Sequence, residues 1–223
     1  MGDSVVTAAA LAVARRGRLV RLEGFGTTPG GDPVDPRHTL FDLASLSKVI
    51  GTTTAAGILI DSGELRLDDP VSLHLPGFRG EGKEAVTVRH LLTHTSGLPS
   101  GLWLYGSADS EEEAIAQVLR QPLLRPAGES AEYSDLGMII LAEVVESIAD
   151  MPLDDFLARE LFIPLGMTRT MYLPSTRLQD ETIPTAVNTE RPYPLHAVVH
   201  DANAYRLSGV AGHAGLFSTA RDV

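Results

Sequence analysis

The segment from Ser45 to Ser62 is predicted to form a helix that is apolar on nearly every face. Its apolar residues are Val49, Ile50, Ala55, Ala56, Ile58, Leu59 and Ile60. A helix without a polar face must be covered by other elements, so the rest of the chain has to fold around it. Gly51 and the threonines at 52–54 are poor helix formers, so we expect tertiary packing rather than intrinsic propensity to hold this helix.

Ser45 and Lys48 stand three residues apart at the start of this helix. Positions i and i+3 share a helix face, which places the lysine amine beside the serine hydroxyl. The S-x-x-K pattern is short and weak by itself. Of 18 lysines and arginines, however, only Lys48 and Lys83 are lysine. Arginine cannot give up its proton, whereas a buried lysine can act as a base. We therefore interpret Lys48 as a candidate catalytic base and Lys83 as an exposed loop cation.

Composition limits the classes of partner and compartment. The chain of 223 residues is 43% hydrophobic and 21% charged, which suits one sizeable core. Its net charge of -11 without a basic stripe argues against nucleic acid or an anionic membrane. No stretch reaches the roughly 18 apolar residues of a membrane span. Residues 1–4 begin no signal peptide, so the chain as written is expected to be cytoplasmic, with a periplasmic or secreted parent left open.

The absence of cysteine excludes disulfides, thiolate catalysis and cysteine-ligated zinc. Turn residues and periodicity predict the remaining elements. They are a β-hairpin over 5–25 that turns at 15–18, a loop at 27–36, an extended piece at 39–43, helices at 86–94, 110–121, 135–149 and 153–162, and mostly loop at 65–78 and 174–204. Gly63 is expected to end the first helix, Pro164 to end the last, and Ser110 with Glu113 to form a capping box.

Four segments follow one another in an order that points to a family. They are FDLASLSK at 41–48, HLLTHTSGLP at 90–99, Tyr133-Ser134-Asp135, and GHAGLFSTA at 212–220. Together they resemble the serine β-lactamase, D-alanyl-D-alanine peptidase and esterase superfamily, on its class C side. The likeness covers nearly the whole chain, and HLLTHTSGLP is its most specific part.

The resemblance implies an α+β fold of the β-lactamase/transpeptidase type, with an antiparallel sheet, flanking helices and an all-helical lobe. Residues 1–223 would form part of one such domain. Residues 1–44 and about 205–223 would belong to the α/β lobe, and about 45–204 would supply the nucleophile helix, the helical lobe and loops.

The family's third motif, K-T-G or a His or Trp version, normally lies on a later strand. His213-Ala214-Gly215 is not interpreted as that motif, because the residues after it belong to the earlier landmark. We therefore expect a truncated member with an incomplete sheet and missing C-terminal strands. Such a chain is expected to be a poor catalyst even where its parent is a good one.

The resemblance implies that Ser45 is the acylated nucleophile and that Lys48 and Tyr133 move its proton and that of the leaving group. The Ser45 N–H would supply half of an oxyanion hole. The implied function is a serine hydrolase acting on an ester, amide or β-lactam carbonyl of a small-molecule or peptide substrate. No cofactor or metal is implied, and the oligomeric state stays open. The alternative is a non-catalytic member that binds a peptidoglycan-like ligand or partner without turnover.

Asp135 departs from the family, which usually has asparagine there. An asparagine amide donates and accepts, whereas an ionised aspartate only accepts. The substitution also adds charge beside Lys48. Asp135 is therefore predicted to bind substrate in a way that favours an ester or peptide over efficient β-lactam turnover.

Three further residues are candidates for substrate contact. Trp103 would line the cleft or cap it. His200 and His213, with Asp201, suggest a triad, a metal site or substrate contact, and a hydrogen-bonded loop cluster is the simpler interpretation. His90 and His94 have helical i, i+4 spacing without the glutamate of a zinc-protease helix, so a structural role is expected.

Overall fold

The computed structural model describes residues 6–187 and 190–223, which form a helical body and two small antiparallel sheets. The described α-helices are α1 (Thr54–Asp61), α2 (Val71–His74), α3 (Val88–Leu92), α4 (Glu111–Arg120), α5 (Asp135–Ala149), α6 (Leu153–Leu157), α7 (Ile163–Leu165) and α8 (Ala202–Arg206). π-Helical turns at Lys48–Thr53 and Ala158–Phe162 lead into α1 and α7, and 3-10 turns occur at Lys83–Ala85 and Thr176–Glu181.

Strands β1 (Ala8–Arg15) and β2 (Arg18–Gly26) form the predicted hairpin. Its turn has positive φ angles at both central residues, as the tight right-twisting hairpin turn requires. Strand β3 (Phe41–Asp42) pairs with β4 (Phe217–Ser218) and brings distant parts of the chain together. The α+β class is confirmed, and neither sheet has more than two strands among the described residues. Residues 1–5, including the predicted first residue of the hairpin, lie outside them.

The helix predicted over 45–62 is confirmed from Leu46 to Asp61, although its first part is wound as a π-helix before α1. We call it the nucleophile helix, after the role that is predicted for Ser45. The Thr54 hydroxyl donates to the Val49 carbonyl at 3.0 Å, which satisfies a backbone acceptor in the widened turn. Ala55, Ala56 and Leu59 are buried, as the all-round apolar pattern predicts. Gly63, with φ of +81°, ends the helix.

Helix α5 forms the centre of the core and confirms the predicted helix over 135–149. Its buried residues include Leu136, Ile139, Ile140, Leu141, Val144 and Val145. It packs against α1, α2, α3, α4 and α6. Apolar burial on this scale is the main favourable term in folding, so α5 ties the nucleophile helix to the other helices.

Two helix boundaries and one cap differ from prediction. Helix α3 is shorter than 86–94 because Thr87 caps it by accepting the His90 N–H. The last predicted helix does not stop at Pro164 but stays helical to Leu165, since proline is tolerated in the first turn of α7. Ser110 caps α4 as expected, but the Glu113 carboxylate accepts the Asp109 N–H rather than that of Ser110.

Lys83 is buried, which corrects its interpretation as an exposed loop cation. Its ammonium group donates to the Leu119 carbonyl at 2.8 Å, near the C-terminus of α4. It also lies 5.4 Å from the centroid of the Phe78 ring. A cation at the negative end of a helix satisfies carbonyls that have no partner within the helix, so Lys83 has a structural role.

Three carboxylates come close together where α4 and α5 meet. Burial, and after it the negative charges of the neighbouring Glu146 and Glu111, raise the pKa of Glu143 to about 7. Burial also raises the pKa of Glu146, against the hydrogen bond that it accepts from the Leu153 N–H. Ionised Glu143 is therefore an electrostatic cost to the fold at neutral pH.

We expect Glu143→Gln to stabilise the protein at about pH 8. The pKa of Glu143 is about 7 in the folded protein and has the ordinary value of 4.5 in the unfolded chain. The wild-type protein therefore keeps its full stability below pH 4.5 and loses stability as pH rises from 4.5 through 7. The variant should raise the free energy of unfolding at about pH 8 by about 1–2 kcal/mol and flatten its pH dependence. Urea denaturation at about pH 5 and pH 8 measures both effects.

Glu112→Gln is the matched control, because it removes the same charge from an exposed position on α4. It should leave the pH dependence of the wild type in place. Equal stability of the wild-type chain at the two pH values would contradict the prediction.

Candidate active site

Ser45 and Lys48 come together at the start of the nucleophile helix. The Lys48 amine donates to the Ser45 hydroxyl at 2.9 Å. Ser45 is exposed, whereas Lys48 is only 4% exposed. The arrangement places a buried amine behind a hydroxyl that faces solvent, which is the geometry for activating a serine nucleophile.

Three oxygen atoms surround the Lys48 amine. Besides the Ser45 hydroxyl, they are the backbone carbonyl of His213 at 2.9 Å and Asp135 Oδ1 at 2.8 Å. The charge predicted beside Lys48 is therefore confirmed as an ion pair. An ammonium group has three N–H donors. Two hydrogen bonds join the amine to the Ser45 hydroxyl and the His213 carbonyl, whereas Asp135 Oδ1 pairs with its charge and accepts no hydrogen bond from the described residues.

The turn before Ser45 is strained and is held by Asp42. Ala44 has φ of +47°, in the left-handed region that favours glycine. The Asp42 carboxylate accepts the Ala44 N–H at 2.8 Å and the His200 N–H at 2.8 Å. Burial raises the pKa of Asp42, although both hydrogen bonds oppose that shift. The Ser45 N–H, which follows this turn, has no acceptor among the described residues.

A row of hydrogen bonds joins the nucleophile helix to residues 212–216, which we call the carbonyl segment. The Thr52 hydroxyl donates to the Gly212 carbonyl at 2.7 Å. The Ser47 hydroxyl accepts the Leu216 N–H at 3.1 Å, and the Leu216 carbonyl accepts the Leu43 N–H at 2.9 Å. The GHAGLFSTA motif thus lies along the helix and presents the His213 carbonyl to Lys48.

Tyr133 lies beside Lys48 through its ring. The ring centroid is 4.9 Å from the Lys48 amine and 4.6 Å from the centroid of the His94 ring. His94 Nδ1 accepts the Ser134 N–H at 3.2 Å, and so fixes the backbone next to Tyr133. Burial and then the positive charge of Lys48 lower the pKa of His94, although Asp135 opposes this. A neutral imidazole keeps the lone pair that accepts this bond.

The HLLTHTSGLP motif and the residue after it hold the backbone of Tyr133, Ser134 and Asp135 through hydrogen bonds. The Ser134 hydroxyl donates to the Pro99 carbonyl at 2.6 Å and accepts the Gly137 N–H at 3.2 Å as the N-cap of α5. The Asp135 N–H donates to the Ser100 carbonyl at 2.8 Å. The most specific motif of the sequence therefore places residues 133–135 and contributes no side chain to the contacts around Lys48 that are described above.

Trp103 is half-exposed in the loop after Pro99, and its ring packs edge-on to Tyr105 with centroids 5.9 Å apart. Asn203, on α8, holds this loop because its side chain donates to the Leu102 carbonyl and accepts the Leu104 N–H. Within the described ranges 6–187 and 190–223, no hydrogen bond, ion pair or ring interaction joins Trp103 to Lys48. Substrate contact by Trp103 and Asp135 stays a prediction.

Of the residues in the predicted hydrogen-bonded loop cluster, Asp201 and His213 are paired, whereas His200 bonds through its backbone to Asp42 and Arg191. His213 Nε2 lies 3.0 Å from Asp201 Oδ1, and the His213 side chain is 1% exposed. The His200 carbonyl accepts a hydrogen bond from the Arg191 guanidinium. Substrate contact by His200 and His213 also stays a prediction, as do the catalytic roles of Ser45 and its partners.

His90 and His94 have separate structural contacts, as expected. His90 Nδ1 accepts the Thr87 N–H at 3.1 Å at the start of α3. Among the residues that the structure describes, no group of three or more histidine, aspartate or glutamate side chains could hold a metal ion. None of the described helices has both the length and the apolar character of a membrane span.

The chain is similar to known proteins of one family. A family model described as Beta-lactamase matches residues 1–223. The N-acetylmuramyl-L-alanine amidase of Bacillus subtilis is 32% identical over 96% of this chain and 57% of its own length. The putative D-alanyl-D-alanine carboxypeptidase of Escherichia coli is 31% identical over 83% of this chain and 49% of its own. The chain thus spans about half the length of these relatives.

A solved structure shows the same fold. EstCE1, described as a hydrolase with promiscuous acyltransferase activity, superimposes with a TM-score of 0.80 at 25% identity. The match covers 99% of this chain and 66% of that one.

We expect Gly97→Ala to disrupt the support under Tyr133. Gly97 has φ of +81°, and an added Cβ would lie 2.1 Å from the Arg125 carbonyl oxygen. The variant should lose about 2 kcal/mol or more of unfolding free energy, because left-handed strain adds to this clash. Chemical denaturation measures the loss. Gly101→Ala is the control, since no atom lies within 4 Å of its added Cβ, and equal stability of the two variants would contradict the prediction.

Proposed function

The chain belongs to the beta-lactamase family of serine hydrolases, and on that premise we propose that Ser45 attacks the carbonyl of an ester or short peptide to form an acyl-enzyme. The observation that carries the proposal is the Lys48 amine, buried and 2.9 Å from the Ser45 hydroxyl. A serine hydroxyl is a weak nucleophile until a nearby base takes its proton. Lys48 is the nearest such base in this geometry.

The surroundings of Lys48 suit an amine that exchanges one proton with Ser45. A neutral amine has two N–H bonds and one lone pair. With one N–H bond toward the His213 carbonyl, the lone pair can face the Ser45 hydroxyl. As the bond from Ser45 Oγ to the carbonyl carbon forms, the serine proton moves to Lys48. The same proton then leaves with the departing group, with Tyr133 beside Lys48 to assist the transfer.

The negative charge that develops on the substrate carbonyl oxygen in the transition state needs a hydrogen-bond donor to stabilise it. The Ser45 N–H has no acceptor among the described residues, and it precedes a helix whose positive end favours an anion. We assign it one of the positions in an oxyanion hole. Water then attacks the acyl carbon, the ester bond to Ser45 breaks, and Ser45 recovers its proton.

The substrate class follows from Asp135 and from the relatives. Their names describe an amidase and a D-alanyl-D-alanine carboxypeptidase, both of which cleave amide bonds. An ionised aspartate beside the nucleophile accepts hydrogen bonds and cannot donate one to a substrate carbonyl. We therefore favour a short peptide or a small ester over efficient turnover of a β-lactam.

The proposal predicts a covalent adduct with a fluorophosphonate probe. The bond from Ser45 Oγ to phosphorus forms, fluoride leaves, and the serine proton passes through Lys48 to solvent. Intact mass should rise by the mass of one probe less hydrogen fluoride. Ser45→Ala should give no adduct, and Lys48→Arg should react at least about a hundredfold more slowly, because arginine cannot accept the proton.

A folded chain that gives no adduct would overturn the acyl-enzyme proposal and favour the alternative of binding without turnover. Circular dichroism of each variant confirms that the fold is intact. An adduct that persists in Ser45→Ala would place the reactive group elsewhere.

Asp135→Asn tests the ion pair. The carboxylate pairs with the ammonium form of Lys48, which has no lone pair to accept the serine proton. Asparagine keeps an oxygen near the amine without the charge, so the variant should label about three- to tenfold faster at neutral pH. The rate of probe labelling measures the effect. Slower labelling of a folded variant would show that the carboxylate assists Ser45 rather than restrains Lys48.

A further inference from the structure

Lys48 meets Ser45 only where its long side chain is held in one orientation. We propose that Asp201 and His213 form a positioning pair that holds the His213 carbonyl against the Lys48 amine. The proposal rests on the proposed function, in which Lys48 serves Ser45. It assigns Asp201 a positioning role, in place of the triad, metal site or substrate contact that the sequence suggests for these residues.

The first step is the contact between the two side chains. His213 Nε2 lies 3.0 Å from Asp201 Oδ1, and the imidazole is almost completely buried. The backbone carbonyl of the same residue accepts the Lys48 amine at 2.9 Å. A bond that fixes the His213 side chain therefore limits rotation of the backbone on which Lys48 depends.

The second step is that both ends of the pair are anchored. Asp201 accepts the Ala204 N–H at 2.8 Å as the N-cap of α8. Burial raises the pKa of Asp201, but the bond to His213 and backbone N–H groups outweigh it and hold the pKa at about 2. On the other side of His213, the Gly212 carbonyl accepts the Thr52 hydroxyl at 2.7 Å. Residue 213 is thus held between α8 and the nucleophile helix.

The third step concerns the other imidazole nitrogen. His213 Nδ1 is buried and has no hydrogen-bond partner among the described residues. A buried polar atom without a partner costs free energy, and an apolar side chain would avoid that cost. Packing alone therefore gives no reason for a histidine here. The directional bond from Nε2 to Asp201 does.

Asp201→Ser is the principal test. Serine can still cap α8 but is too short to reach the imidazole. Asp201→Asn is its matched control, because an amide oxygen can accept both the Ala204 N–H and the imidazole N–H. His213→Leu and His213→Gln form a second pair, in which the glutamine amide can take the place of Nε2.

The side-chain amine spectrum of lysine provides a readout that does not depend on activity. The chain contains only two lysines, Lys48 and Lys83, so labelled protein gives two lysine signals, and Lys83→Arg assigns them. We expect the Lys48 signal to shift and to lose protection from exchange in Asp201→Ser and His213→Leu. It should keep its position in the asparagine and glutamine variants. An unchanged Lys48 signal in folded Asp201→Ser would overturn the proposal.

Labelling by the fluorophosphonate probe provides the functional readout. Asp201→Ser should lower its rate constant at least about tenfold, and Asp201→Asn should restore most of it, because small misplacements of a catalytic group have large effects on rate. An equal loss in both variants, with the Lys48 signal unmoved, would show a merely structural role. A wild-type chain that fails to react contradicts the acyl-enzyme proposal alone, since the lysine spectra still decide whether the pair positions Lys48.

Discussion

The hydrogen bonds between the nucleophile helix and the carbonyl segment are the contacts on which the rest of the site depends. The helix has no polar face of its own, and Ser47, Lys48 and Thr52 use their polar groups on residues 212–216. These groups are buried, so each would be costly without its partner. The same bonds that satisfy the helix also place a carbonyl behind Lys48. The same hydrogen bonds therefore stabilise the fold and set the geometry around Lys48.

The HLLTHTSGLP segment also positions the site, mainly through hydrogen bonds to its backbone carbonyls. Carbonyls of His94, Pro99 and Ser100 accept bonds from residues 132–135, and His94 adds its imidazole. Tyr133 and Asp135 are consequently set by a loop whose own side chains stay largely structural. This explains how the most recognisable stretch of the chain can be essential to the site without supplying a group next to Ser45.

The two lysines show what residue choice reveals and what it does not. Both Lys48 and Lys83 are buried, in a chain that otherwise uses arginine for positive charge. Burial by itself does not select lysine over arginine, because Arg191 is also buried. What distinguishes the two lysines is their partner. Lys48 donates to the hydroxyl of Ser45, whereas Lys83 donates to the backbone carbonyl of Leu119.

Local physics made much of this chain predictable. The hairpin turn, the N-cap Ser110 and the pairing of Ser45 with Lys48 all join residues within about one helical or hairpin turn. Order of motifs, rather than any one pattern, indicated the family. Exact helix ends were less predictable, because Thr87 and Pro164 act through caps and first-turn geometry that periodicity does not record.

The sequence by itself therefore determined the buried helix, the serine and lysine on its first turn, and the family. Tertiary structure alone decided which atoms surround the Lys48 amine. The His213 carbonyl lies 165 residues away along the chain, and the Leu119 carbonyl that binds Lys83 lies 36 residues from it. The sequence groups Asp201 with His213 among several alternatives, and the fold of α8 beside the carbonyl segment selects the direct bond between their side chains. Contacts of this kind depend on how separate elements pack, which residue type and spacing do not specify.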